Sequence, residues 1–185
     1  MTVFLFLAEG FEEIEAIATL DILKRGGLKV ISVSVTGRNT VTGAHGIAVV
    51  ADQLFEETDF SEGDMLVLPG GNPGTENLNK HDGLKMLLLH YYSKGKRIAA
   101  ICAAPSILGE LKLLENKRAV VYPGYEDSLE GATVIDAPVV KDGNIITAKG
   151  PGSAFDFGLA ILTEFVGPEK ADEIANQMLW KKNGK

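Results

Sequence analysis

Arg97-Ile98-Ala99-Ala100-Ile101-Cys102-Ala103-Ala104-Pro105-Ser106-Ile107-Leu108 is the stretch whose reading decides the fold. Ile98 to Ile101 is a short apolar run that reads as a buried strand, and a new helical pattern starts after Pro105. Between them lies Cys102, the only cysteine of the 185 residues. A strand that turns sharply into a helix with a nucleophile at the turn is the elbow geometry of several hydrolase-like folds. Small residues at Ala100, Ala103 and Ala104 suit a crowded elbow, and Pro105 suits a first helical turn, where its missing N–H costs nothing. Amide N–H groups at the helix start would favour a thiolate. The plainer reading is that Cys102 is a small buried hydrophobe, as free cysteines often are.

Outward from the elbow, the chain alternates between strands and helices. Val3 to Leu7, Lys29 to Val35 and Met65 to Leu68 read as strands. Glu12 to Arg25, closed by Gly26-Gly27, and Asp82 to Ser93, ending at Gly95, read as helices. Thr36 to Ala51 is rich in turns, with short strands near Thr40–Thr42 and Ile47–Val50. Beyond the elbow, Ser106 to Leu114 is helical or broken at Gly109, and Arg118 to Val121 is a short strand. Val139 to Ile146 is a hairpin with Asp142-Gly143 at its turn. A long helix, Ser153 to Val166, is broken by Gly167-Pro168 and followed by a last helix from about Glu169 to Trp180. Repeated strand–helix units predict a mostly parallel sheet with helices on both faces, in one domain over 1–180, with a loose tail at 181–185.

Such sheets bind ligands beyond the carboxyl ends of their strands. Ala8 to Phe11, Gly70-Gly71 and Cys102 each follow a strand, so all three are expected along one sheet edge. In Pro69-Gly70-Gly71-Asn72-Pro73-Gly74, the backbone N–H groups of Gly70 and Gly71 can join that of Ala103 as an oxyanion site for a carbonyl attacked by Cys102. The same residues also suffice for a plain tight turn. The loop lacks the Gly-Lys-Ser/Thr of a phosphate loop, and no Gly-x-Gly-x-x-Gly follows the first strand.

Glu12 and Glu13 suit the first turn of a helix. Glu15 faces Ala18, Thr19 and Ile22 at helical spacing, a largely apolar stripe that would raise its pKa if it were buried. The residues alone favour a surface Glu15, because glutamate is rarely buried. Of the three histidines, His81 and His90 read as structural or surface residues, and only His45 is placed near a site. No spacing signals a metal site, and no cofactor is called for.

Net charge is −7, with 45% hydrophobic and 23% charged residues. This argues against a general nucleic-acid or anionic-membrane surface. One cysteine makes no internal disulfide, and neither a signal peptide nor a membrane span is legible, so the expected setting is cytoplasmic.

Four motifs in register carry a resemblance over nearly the whole chain. They are Ala8-Glu9-Gly10-Phe11-Glu12-Glu13-Ile14-Glu15, Val67-Leu68-Pro69-Gly70-Gly71, Ala99-Ala100-Ile101-Cys102-Ala103-Ala104-Pro105 and Thr147-Ala148-Lys149-Gly150-Pro151-Gly152. Together they resemble the ThiJ/PfpI superfamily and, within it, the subgroup of the parkinsonism-associated protein deglycase. The resemblance implies a flavodoxin-like three-layer α/β/α sandwich and a homodimer. It implies that Cys102 is the elbow nucleophile, readily oxidised to a sulfinate, and that Glu15 is a protonated carboxyl bonded to its sulfur, against the surface reading. It further implies that the N–H groups of Gly71 and Ala103 line an oxyanion pocket. The activities implied are glutathione-independent conversion of α-oxoaldehydes, repair of early glycation adducts, peroxide sensing and holdase chaperoning, with a small aldehyde or glycated compound as substrate.

Some features depart from the family's patterns. Ala103 stands where the protease branch has a histidine, which removes the Cys-His pair of a peptidase. No histidine follows Cys102, so an amidotransferase lacks its base. The stretch Ala132 to Val140 lacks a histidine that the deglycase carries beyond its elbow helix. His45 stands where many relatives carry an arginine, and imidazole does not replace a guanidinium fork in holding an anionic group.

Overall fold

A computed structural model describes residues 1–180; the predicted tail at 181–185 lies outside them. The strands are β1 (Thr2–Leu7), β2 (Lys29–Ser34), β3 (Thr40–Thr42), β4 (Ala48–Val50), β5 (Gln53–Leu54), β6 (Met65–Leu68), β7 (Arg97–Ile101), β8 (Arg118–Ala119), β9 (Thr133–Val134), β10 (Val139–Asp142) and β11 (Ile145–Ala148). The helices are α1 (Glu13–Arg25), α2 (Gly74–Asn79), α3 (Asp82–Ser93), α4 (Pro105–Glu110), α5 (Ala154–Val166) and α6 (Pro168–Gln177).

Seven strands form one sheet in the order β10-β11-β7-β6-β1-β2-β5. All neighbours are parallel except β10 and β11, which form the expected hairpin. The two-residue turn of that hairpin is Gly143-Asn144, one position later than the predicted Asp142-Gly143, because Asp142 still pairs with Ile145. The mostly parallel sheet read from the residues, with helices on both faces, and the flavodoxin-like arrangement that the resemblance implies are therefore present.

Strand β1 explains why both faces are covered. Its odd residues Val3, Leu5 and Leu7 join Ala16, Ile22 and Leu23 of α1 and Phe157, Ile161 and Leu162 of α5 in one apolar layer. Its even residues Phe4 and Phe6 join Leu84, Leu88 and Tyr91 of α3 and Ile107 and Leu108 in the other. A period of two in a strand that is apolar throughout requires this double burial.

The order also fixes where a site can form. The chain leaves β1 toward β2 on one side and returns to β6 on the other, so the connections diverge beyond the carboxyl ends of β1 and β6. Crevices for ligands open at such switch points. Of the two readings of Ser106–Leu114, the broken helix is the one observed: α4 ends at Glu110, just past Gly109, and Lys112 takes a φ of 59°. The Pro69–Gly74 loop runs into α2, an element the sequence did not signal because glycine, threonine and asparagine are weak helix formers.

Candidate active site

Three connections meet at the switch point. After β1, Ala8 to Phe11 turns tightly, with Phe11 N–H donating to Ala8 C=O at 3.0 Å. The turn is fastened to its neighbours: Glu12 N–H donates to Gly70 C=O at 3.0 Å, and Gly74 N–H donates to Gly10 C=O at 3.0 Å. Gly71 has a φ of 104°, and a side-chain carbon there would overlap Gly10 O and Glu12 N. Only glycine lets the β6 loop press this closely on the start of α1.

Cys102 follows β7 directly, with a φ of 66°. A side chain in this left-handed region costs about 1–2 kcal/mol, and the surroundings must hold it there. Its N–H donates to Ala148 C=O at 2.9 Å, and its C=O accepts from Tyr122 N–H at 2.8 Å. The thiol is thereby aimed at the loop after β6. An ideal Cβ on Gly70 would lie 2.7 Å from Cys102 Cβ and 2.9 Å from Glu15 Oε2, so Gly70 is the gap in which the two side chains meet.

Glu15 is 0% exposed, against the surface reading that its residue type favours. The α1 stripe that holds it is the one noted in the sequence, and the tertiary fold covers it with the β6 loop and the elbow. Its Oε2 accepts from Gly70 N–H at 2.7 Å. Burial pushes the carboxyl up to about 7, opposed by the Gly70 N–H and the Cys102 thiol and assisted by the charge of Glu12. The Gly70 N–H is consequently spent on Glu15 and is not free for an oxyanion, unlike the sequence reading. Oε1 is buried with no hydrogen-bond partner among the described residues. An oxygen in that position is suited to carry a proton.

Burial pushes the Cys102 thiol up to about 12, and the charge and hydrogen bond of Glu15 add to this, while the Ala103 and Gly71 N–H groups pull the other way. The residues read as sequence argue only for a lowered value, on the strength of a helix start, but α4 has only six residues, and a buried carboxylate lies beside the sulfur. Each group resists ionising once the other has done so, because two negative charges in one dry site repel. The pair therefore does not ionise twice near neutrality, and the carboxyl, at about 7, is the first of the two to lose its proton. The Gly71 and Ala103 amides face the sulfur and the Gly70 amide faces the carboxyl, so each group has donors that solvate it when it carries the charge.

His45 lies on the β3–β4 hairpin, with its side chain 68% exposed. Its Nδ1 is 2.8 Å from Glu13 Oε2, and its N–H donates to Glu13 Oε1 at 2.7 Å. The hydrogen bond that its ring donates to Glu13, with the charges of Glu12 and Glu13, raises its pKa. His45 is thus turned to the start of α1, where it fastens the hairpin. Glu12, Glu13 and His45 bring possible metal-donor atoms within 4.8 Å of one another. Sequence spacing could not signal this group, because the hairpin folds back over thirty residues later. Tyr122, whose N–H holds the elbow, also went unmarked; nothing in its local sequence points to Cys102.

The DJ-1/PfpI family profile matches residues 1–164. The chain belongs to the DJ-1/PfpI family. Among DJ-1/PfpI relatives, it is 39% identical over 185 residues to Protein DJ-1 homolog A of Arabidopsis thaliana, covering 98% of this chain and 47% of that protein. The chain thus spans about half the length of this plant relative. It is 36% identical over 168 residues to the deglycase PYRAB04690 of Pyrococcus abyssi, covering 90% of this chain and 98% of that protein. A DJ-1/PfpI structure, oxidised DJ-1 of Toxoplasma gondii, superposes with a TM-score of 0.94 at 34% identity, covering 98% of this chain and 99% of that one. Among the described residues of this DJ-1/PfpI chain, no helix is long and apolar enough to cross a membrane.

Proposed function

We propose that this protein is a cysteine-dependent stress-response enzyme that converts α-oxoaldehydes, or their early adducts, to hydroxy acids. The observation that carries this reading is the buried Glu15 carboxyl, held at about 7 against the Cys102 thiol, with Gly71 and Ala103 amides directed at the sulfur. Cys102 sulfur adds to the aldehyde carbon of methylglyoxal, and Glu15 gives its proton to the carbonyl oxygen, forming a hemithioacetal. The Glu15 carboxylate then takes the proton from that carbon and returns it to the neighbouring one, leaving a thioester of lactate. Water cleaves the thioester, releasing lactate and restoring the thiol. The N–H groups of Gly71 and Ala103 are the donors available to the oxyanion of this last step. No cofactor enters this sequence. The test is lactate formation from methylglyoxal without glutathione, with wild type and Cys102→Ser side by side.

A second reading has its own support. Sulfur with two amide donors, in the sole cysteine, suits stepwise oxidation by peroxide: the thiolate takes one oxygen to give a sulfenate and water, then a second to give a sulfinate. No second cysteine exists to resolve the sulfenate within the chain. Intact mass at low peroxide is expected to rise by two oxygens in wild type and not in Cys102→Ser. Uniform oxidation of both would remove this reading.

The homodimer belongs to the same proposal. Ile14 and Ile17 of α1 and Ile47 and Val50 of the β3–β4 hairpin are exposed. Ile17, Leu20, Val49 and Val50 share one shallow cleft with Asp21, Lys24, Ser32 and Asp52, and a second copy would cover the exposed apolar side chains of this face. A sedimentation mass of two chains is expected for wild type, and of one chain for Ile17→Glu. A monomeric wild type at micromolar concentration would remove it.

A further inference from the structure

Tyr122 is 45% exposed, although its backbone is fastened to the elbow. Its N–H donates to Cys102 C=O at 2.8 Å, and Cys102 N–H donates to Ala148 C=O at 2.9 Å, so Cys102 is strung between the segment after β8 and the end of β11. The Tyr122 ring turns to the same end of β11. An ideal Cβ on Gly150 would lie 3.1 Å from Tyr122 Cδ2 and 3.5 Å from Cε2. Gly150 has a φ of 169°, extended backbone open to any residue, so the room it leaves for the ring is what a side chain there would take away.

The turn that carries this ring is stiff. In Tyr122-Pro123-Gly124-Tyr125, Tyr125 N–H donates to Tyr122 C=O at 3.1 Å, and Gly124 has a φ of 96°. Proline at the second position and a glycine of positive φ at the third are the pattern of a type II turn. A tyrosine presented on a stiff turn loses little freedom when it packs against a ligand. Its place beside the sulfur follows from the sheet. Strands β6, β7 and β11 are neighbours, and adjacent strands lie about 4.8 Å apart, so the ends of β6 and β11 stand roughly 10 Å apart with Cys102 between them. The β6 side is taken by Glu15 and the Gly70 and Gly71 amides. The β11 side carries the Tyr122 ring. Cys102 itself is partly exposed between the two.

We propose that Tyr122 is a specificity-determining residue of the Cys102 site, its ring a shelf for the substituent of an oxoaldehyde held on the sulfur, and that it favours a flat aryl group over a methyl group. The oxygens of such a compound turn to the proton and amides on the β6 side, which leaves the substituent to the β11 side. An aryl group there stacks on the exposed ring, and a methyl group covers little of it. This deepens the enzyme reading and rests on it for turnover, while the preference for the substituent is also expressed in any reaction of the sulfur.

The test compares bromoacetone with phenacyl bromide. In both, the Cys102 sulfur displaces bromide from a CH2 group to form a thioether, and the thiol proton passes to buffer; only the methyl or phenyl beyond the carbonyl differs. Rates are followed by intact mass and divided by those of N-acetylcysteine, which cancels the reagents' own reactivities. Wild type is expected to prefer the phenyl reagent about threefold to tenfold more than the free thiol does. Tyr122→Phe is expected to keep this preference and Tyr122→Ala to lose it, with the backbone N–H to Cys102 present in both. Tyr125→Ala, in the same turn, is expected to keep it. A wild type with the free-thiol ratio, or a Tyr122→Ala that retains the preference, overturns the shelf. Equal loss in Tyr125→Ala assigns the effect to the turn and overturns it too. In turnover, kcat/KM for phenylglyoxal over methylglyoxal is expected to follow the same order of variants, chiefly through KM. Alkylation that follows this order in a protein that consumes neither aldehyde supports the shelf and removes the enzyme reading alone.

Discussion

Cys102→Ser is expected to lower lactate formation from methylglyoxal by on the order of 10³-fold or more, while the protein stays folded. The magnitude follows from the loss of a covalent nucleophile whose replacement is a far weaker one. A serine hydroxyl in this position faces the same Gly71 and Ala103 amides but ionises several units higher than a thiol. No imidazole stands beside it, since His45 is committed to Glu13. Glu15, at about 7, is too weak a base to make an alkoxide. The smaller oxygen fits the elbow, so Tm is expected to change little, and the two readouts separate chemistry from folding. Cys102→Ser with unchanged turnover would end the enzyme reading and shift attention to bound groups elsewhere.

The second large effect belongs to Glu15→Gln. Turnover is expected to fall about 10²–10⁴-fold, the range for removing a positioned acid–base group. Glutamine can still accept from Gly70 N–H, so the loop after β6 keeps its anchor. It can neither give nor receive the proton that the proposed sequence moves twice. The same substitution has a signature in stability. The folded pKa of Glu15 is raised from 4.5 to about 7, so between these values the native protein holds a proton that the unfolded chain has lost. Stability from this group is fully present below about pH 4.5, declines as pH rises toward 7, and is constant above. The raised pKa corresponds to roughly 3 kcal/mol of destabilisation at pH 8 relative to pH 4. Urea midpoints of wild type should show this decline, and Glu15→Gln should lack it. A wild type whose midpoint rises through that window would contradict a protonated Glu15.

Most of the fold was legible because local pattern and tertiary role agree. Val3–Leu7, Met65–Leu68 and Ile98–Ile101 are apolar runs, and double burial is the one setting that suits them. Gly70-Gly71 and Cys102 each follow such a strand, which was enough to gather them at one edge of a parallel sheet. Where local pattern and tertiary role diverge, the sequence misled. Glu15 looks like a surface residue because its type usually is one; only the four-motif resemblance argued otherwise. Gly70 and Gly71 look alike as sequence, yet one N–H serves the carboxyl and the other the sulfur. His45 reads as a residue of a turn-rich segment near the site, and its bond to Glu13 is a contact that no local pattern signals.

The sequence by itself determined the alternation of strands and helices, the edge of the sheet where a site could form, and the sulfur that would occupy it. These follow from residue periodicity and chain order, which act over a few residues at a time. Only the tertiary structure decided the ionisation of Glu15 and Cys102 and the partition of the three amides between them. Those depend on which groups are driven out of water together, and burial and charge are properties of the assembled neighbourhood, contributed here by α1, the β6 loop, the elbow and the turn at Tyr122–Tyr125.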